Sequence, residues 1–162
     1  MISNPRPFAP TATIYRSDKF ICIEALSGTG GMTYREDEPY QIYLQLDATV
    51  EDLGRILLEA LGKSRHVTAD DFFEPDRVMR RFADWQKDFA HRHGAKRVRD
   101  AFKNVDWCMA RIREDNIVIQ PHRREKPGSW HRLPPDSRVI IPRISNAPRV
   151  GTALRLALDR CE

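Results

Sequence analysis

Cysteine is scarce in this 162-residue chain: Cys22, Cys108 and Cys161 stand far apart, with no CxxC spacing and no companion histidine cluster. That pattern signals neither a disulfide framework nor a zinc site, and reduced, mostly buried thiols are expected, in keeping with cytoplasm. Long apolar runs are missing as well. No segment approaches the ~20 apolar residues that span a bilayer. The opening MISNPRPFAPTAT holds three prolines and no apolar stretch of signal-peptide length. The expectation is a protein that stays where it is made and has no membrane contact. Glycine is also sparse, yet three of the eight glycines, Gly28, Gly30 and Gly31, fall within four positions of the loop SGTGG.

What is present suits one folded domain. A chain of this length buries about two-thirds of its unfolded surface, and 41% hydrophobic with 31% charged residues is a soluble globular composition. Charge is unevenly distributed. Met1 to Asp76 carries 7 basic and 13 acidic residues, net −6, whereas Arg77 to Glu162 carries 20 and 10, net +10. An electrostatic dipole is expected unless folding interleaves the halves, and such a field bears on partners and association rates rather than on fold.

Thr13–Arg16 and Phe20–Ala25 flank the turn Ser17-Asp18-Lys19 and predict a hairpin; period-two alternation in QIYLQL, from Gln41, predicts a third strand. Val50, Leu53, Leu57, Ala60 and Leu61 recur at helical spacing behind a cap at Asp47 or Thr49, with Gly62 as the expected stop. A second helix starts near Glu74-Pro75-Asp76, carries the stripe Val78, Phe82, Trp85 and Phe89, and ends at Gly94; a short basic helix follows within Ala95–Phe102. Asp106–Arg113 and Asn116–His122 predict another hairpin across Glu114-Asp115, with further strands at Ser129–Arg132 and Val139–Ile141. A closing helix bears Val150, Leu154, Ala157, Leu158 and Cys161 on one face. The segments starting at Ile42 and Val139 echo each other, with Gly54 matching Gly151 and Leu57 matching Leu154. A glycine early in a helix costs ~1 kcal/mol against alanine; close packing of both helices on a common sheet is the expected reason. The fold class that follows is α+β: one domain, a mostly antiparallel sheet built from hairpins, and three to four helices packed against it. Residues 1–12 are expected to be a flexible Pro-rich lead, with the domain over 13–162.

No constellation supplies chemistry. The Gly loop is followed by Met32, Thr33 and Tyr34 instead of the lysine and helix N-terminus that a phosphate loop needs. It is expected to be a structural turn or a partner-contacting loop. His91 and His93, two apart, point to different faces of a helix and have no companion ligand. The pairs Asp70-Asp71 and Glu36-Asp37-Glu38 lie in turn-like segments, where carboxylates stay ionised and untuned for proton transfer. No catalytic residue, metal site or cofactor is therefore assigned, and a hydrolase built on the Gly loop and Asp70-Asp71 is the weakest reading. Between Arg77 and Arg113 there are eleven Lys or Arg residues interleaved with Trp85, Phe89, Phe102 and Trp107. Their spacing makes Trp85 and Phe89 core residues first, so nucleic-acid binding by this surface is a second reading only.

The wording of the chain is more specific. YRSDKFICIEALSGTGGMTY, IYLQLDATVEDLGRILLEALGKSR, RRFADWQKDF and VGTALRLALDRC together resemble the immunity proteins of bacterial contact-dependent growth inhibition (CDI) systems, the CdiI type, from about Thr13 to Cys161. The resemblance implies a cytoplasmic bacterial protein, not an enzyme and with no small-molecule substrate. Its implied partner is the C-terminal toxin domain of the cognate system, frequently a nuclease, which it binds and blocks. Inhibitors of nucleases are often acidic, and this chain is net basic at +4. The acidic half is then expected to provide the partner-binding face, with Glu36, Asp37, Glu38, Asp70, Asp71 and Glu74 as candidates; the alternative is a toxin that is itself acidic or is blocked away from its active site.

Overall fold

Both expected hairpins form, and they meet side by side. In the computed structural model, which describes residues 6–68 and 74–162, β1 (Thr11–Arg16) pairs antiparallel with β2 (Ile21–Gly28) on one side and with β5 (Asp106–Arg113) on the other. The turn after β1 is closed by Ser17, whose backbone N–H donates to Phe20 O at 2.9 Å and whose hydroxyl accepts from the Lys19 and Phe20 amides. β6 (Asn116–Arg124) follows β5 through a turn at Glu114, a non-glycine residue with φ of 53°. Each border of this four-strand centre is divided between two short strands. β3 (Thr33–Tyr34) and β4 (Gln41–Leu44) share the outer side of β2, and β7 (Trp130–Arg132) and β8 (Val139–Pro142) share that of β6. The result is an eight-stranded antiparallel sheet.

Strand periodicity sends Ala12, Ile14, Ile21, Ile23, Cys108, Ala110, Ile117 and Ile119 to one face, where α1 (Val50–Lys63) and α4 (Ala147–Asp159) cover them. Thr49 caps α1 by accepting from the Asp52 amide at 3.1 Å, and Asn146 does the same for α4 from Arg149. Gly62 does not stop α1, which runs to Lys63 and ends at Ser64, held by its N–H to Ala60 O. The echoed glycines have a reason other than the expected sheet contact: they let the two helices touch each other. A Cβ on Gly54 would lie 1.7 Å from Ala147 O, and one on Gly151 1.7 Å from Val50 O.

The opposite face is covered over one half only. α2 (Pro75–His93), ended by Gly94 in the left-handed region, and the single turn α3 (Val98–Ala101) bring Trp85, Phe89, Ala101 and Phe102 onto Tyr15, Phe20 and Cys22. Phe82 leaves the expected stripe and is 41% exposed, though its ring stacks on Trp85. His93, in the last turn of α2, places its Nε2 2.7 Å from Asp18 Oδ1. Cys108 and Cys161, 53 residues apart in sequence, come within 3.6 Å as free thiols. No helix among the described residues is long and apolar enough to cross a membrane.

Candidate partner-binding face

The Gly loop is built into the scaffold. Gly28 donates its N–H to Arg65 O and accepts from Val67 N–H, while Thr29 N–H donates to Met32 O. A side chain at Gly30 would collide with Arg6 O, 1.5 Å from an ideal Cβ, so glycine lets the loop lie flat on the N-terminal segment. Beside it, Ser27 donates to Glu36 at 2.9 Å and Glu36 accepts from Arg65 Nε at 2.8 Å; these bonds, Arg65 first, hold the Glu36 carboxyl below the usual range.

The acidic candidates therefore divide. Glu36 is committed to Ser27 and Arg65, and Asp37 accepts from Arg77 and from Arg81 Nε at 2.6 Å, joining the acidic stretch to α2. Glu38 is exposed, and Glu74 is an exposed N-cap residue of α2 without a side-chain capping bond. Asp70 and Asp71 lie outside the described residues. Ion pairs thus interleave the acidic and basic halves of the chain, and Arg16 likewise reaches from β1 to Asp106 and Asp159. Five of the eleven basic residues in Arg77–Arg113 are similarly engaged: Arg77 and Arg81 with Asp37, Arg92 with Asp88, and Arg97 and Lys103 with Asp100.

Under α2, Glu24 is fully buried. Arg35 donates to it from Nε at 2.8 Å and also reaches the Tyr15 hydroxyl at 3.3 Å, with its guanidinium 3.9 Å above the Trp85 ring. Burial raises the Glu24 carboxyl and Arg35 pulls it back. The Glu24–Arg35 pair ties the acidic loop to the sheet beneath α2, and Arg35 and Trp85 also line a hollow of about 190 Å³ beside Glu36, Asp37, Arg81, Asp84 and Asp88.

Beyond the edge of α2 the sheet is bare. Met109, Arg111 and Arg113 of β5, Val118, Gln120 and His122 of β6, Arg132 of β7 and Ile140 of β8 line a shallow hollow of about 110 Å³, with Arg138 at its side. Gln120 is buried: its Nε2 donates to Pro121 O and Leu133 O, and its Oε1 accepts from Arg138 Nε at 2.7 Å, which fixes that guanidinium. His122 stacks on Trp107, ring centroids 3.9 Å apart, and bonds Trp107 O through Nδ1 at 3.1 Å. Burial, together with Arg132 and Arg111, pushes the His122 imidazole down to about 4. Among the described residues none of Arg111, Arg113, Arg132 and Arg138 has a carboxylate partner. Burial and the neighbouring Arg113, Arg132 and Arg6 lower Arg111 from its ordinary value. A larger hollow of about 550 Å³ adjoins, between residues 6–9, the Gly loop and the end of β5; Arg111 and Arg113 line both, and Glu114 is the carboxylate of its wall.

No group of three or more His, Cys, Asp or Glu among the described residues could hold a metal ion. Two arginines of the bare face were readable: Met109, Arg111 and Arg113 alternate with Cys108, Ala110 and Ile112, so the strand pattern already sets Arg111 and Arg113 opposite the core. Which arginines lack acids is a tertiary property and had no sequence signal.

Comparison with known proteins gives a consistent picture. A family model described as "CdiI: CDI immunity protein" matches residues 10–161. The chain is 30% identical over 172 aligned positions to the immunity protein CdiI-YPIII of Yersinia pseudotuberculosis serotype O:3 (strain YPIII), covering 93% of this chain and 94% of that one. Among solved structures, a Neisseria meningitidis protein of unknown function superposes with a TM-score of 0.89 at 28% identity over 100% of both chains. A chain of the CdiA-CT/CdiI toxin and immunity complex from Yersinia pseudotuberculosis gives 0.87 at 26% identity, over 96% of this chain and 98% of that one.

Proposed function

The chain belongs to the CDI immunity protein family, and from that premise we propose that it binds the C-terminal toxin domain of its cognate contact-dependent growth inhibition system and neutralises it in the bacterial cytoplasm. The observation that carries this reading is the family match over residues 10–161, supported by the shared fold with a chain of a toxin and immunity complex. The protein acts as an inhibitor through its exterior, with no reaction of its own, and the toxin it blocks is a nuclease. The buried Glu24 agrees with that role, since its charge is met by Arg35, which also reaches the Tyr15 hydroxyl.

The test is expression of the adjacent toxin domain in cells with and without this protein. Viable counts are expected to fall by several orders of magnitude without it and to be restored with it, and the purified pair is expected to form a stable complex. Equal killing in both strains, with no complex, would remove the reading.

A further inference from the structure

The sheet has one face hidden by α1 and α4 and half of the other hidden by α2 and α3. What is left is the surface of β5, β6, β7 and β8 around Arg111, Arg113, Arg132 and Arg138. Elsewhere Arg16, Arg35, Arg55, Arg65, Arg77 and Arg92 each meet a carboxylate in an ion pair. Here Arg111, Arg113, Arg132 and Arg138 gather around one hollow, and among the described residues none of them has a carboxylate partner. Like charges gathered around one hollow repel, and burial together with the neighbouring Arg113 and Arg132 holds Arg111 below its ordinary value. We infer that this arginine face is where the toxin domain docks, through an acidic surface of its own. The inference rests on the immunity reading above and adds to it the location of contact and the charge of the partner.

Three properties of the face fit a protein partner. Its middle is apolar: Met109, Val118 and Ile140 lie among the arginines, and Ile140 is 58% exposed although it is a strand residue beside the core residues Val139 and Ile141. An apolar centre ringed by arginine is the composition of protein interfaces, where Met and Arg are enriched and buried Arg anchors contribute most. Arg138 is already held by Gln120, so less freedom is lost when it meets a carboxylate, and the guanidinium fork suits carboxylates bidentately. Finally, the rings that border the face are turned to internal use. Trp107 stacks on His122 and donates to Thr13, and Trp130 donates to Val105 O at 2.8 Å. A single-stranded nucleic acid would need such rings free as stacking platforms.

The location also bears on the charge of the molecule. Glu36 and Asp37 have their charge taken up by Arg65, Arg77 and Arg81, while the four arginines of the bare face have no carboxylate partner among the described residues. A toxin that docks on this arginine face meets it through an acidic region, away from any pocket built for phosphate.

The experiment compares wild-type protein with the double reversal Arg111→Glu/Arg132→Glu and with the control Arg97→Glu, whose residue lies near α3, outside the face. Calorimetric titration uses the toxin domain encoded beside this chain, at low and at moderate salt. Wild type is expected to bind, more weakly as salt rises, and the double reversal to lose at least about 30-fold in affinity, with the control within about threefold. Circular dichroism and melting report folding. Should the reversal melt early, Arg111→Gln/Arg132→Gln replaces it, with an expected loss of at least about tenfold. If wild type binds and the folded variants bind equally well, the docking face is overturned and the immunity reading stands. If wild type neither binds nor protects, both fall. If wild type retains a DNA duplex on a filter, the variants do not, and toxin binding is unmoved, the face belongs to nucleic acid and the inference is overturned.

Discussion

Replacing Gly54 by alanine should destabilise the protein, although the same change at Gly62 of the same helix should stabilise it. At Gly54 the new Cβ would stand 1.7 Å from Ala147 O, against about 3.3 Å for an ordinary C···O approach, so α1 and α4 must part by roughly 1.6 Å or bend. A gap of 0.5–1 Å already forfeits a quarter to a half of a dispersion contact. This shift is larger and runs through a seam lined by Leu53, Leu57, Val150 and Leu154. Overpacking costs typically about 1–3 kcal/mol, and its upper end applies here. The gain of about 1 kcal/mol in helix propensity then leaves a net loss of about 2 kcal/mol. At Gly62 nothing lies within 4 Å of the added atom, so only the propensity gain remains, up to about 1 kcal/mol. Urea unfolding of the two variants beside wild type reads both numbers. A Gly54→Ala variant as stable as Gly62→Ala would refute the claim that the glycine serves the crossing of the helices.

Two further outcomes follow from buried polar groups. Arg35→Met strips Glu24 of its counter-ion in a site with no exposure, and a loss of about 3–5 kcal/mol in urea unfolding is expected; a loss below 1 kcal/mol would mean that water or another cation reaches the carboxylate. His122 is held neutral, its imidazole pushed down to about 4 from 6.5. Between those values the unfolded chain takes up the proton first, so stability is full above pH 6.5 and is lost as pH falls towards 4. The melting temperature of wild type should therefore drop more steeply across that window than that of His122→Gln, and parallel profiles would show that the buried ring does not govern the acid limb.

Much of the fold was legible because it is local. The cap at Thr49 and the spacing of Leu53, Leu57 and Leu61 define α1 from adjacent residues, and the serine turn at Ser17 and the reversal at Glu114 define the two hairpins. What was not legible depends on distant partners. β3 is two residues long and exists only because Ser27 and Gly28 offer it a ladder, and no periodicity can announce so short a strand. The glycine echo was visible, yet the contact behind it joins residues nearly a hundred positions apart. The same limit applied to the candidate site. Glu36 and Asp37 read as free acids in a loop, and only the arrival of Arg65, Arg77 and Arg81 shows that they are committed inside the chain.

The strand at the middle of the sheet has a consequence for timing. β1 finds one neighbour within a few residues, but its other neighbour, β5, begins ninety residues after Arg16, and α1 meets its crossing partner α4 only near the far end of the chain. At about 5–20 residues per second, a ribosome needs roughly 5–20 s to deliver the missing half. A newly started molecule is of no use during that interval, so a cell struck by toxin must draw on copies completed beforehand.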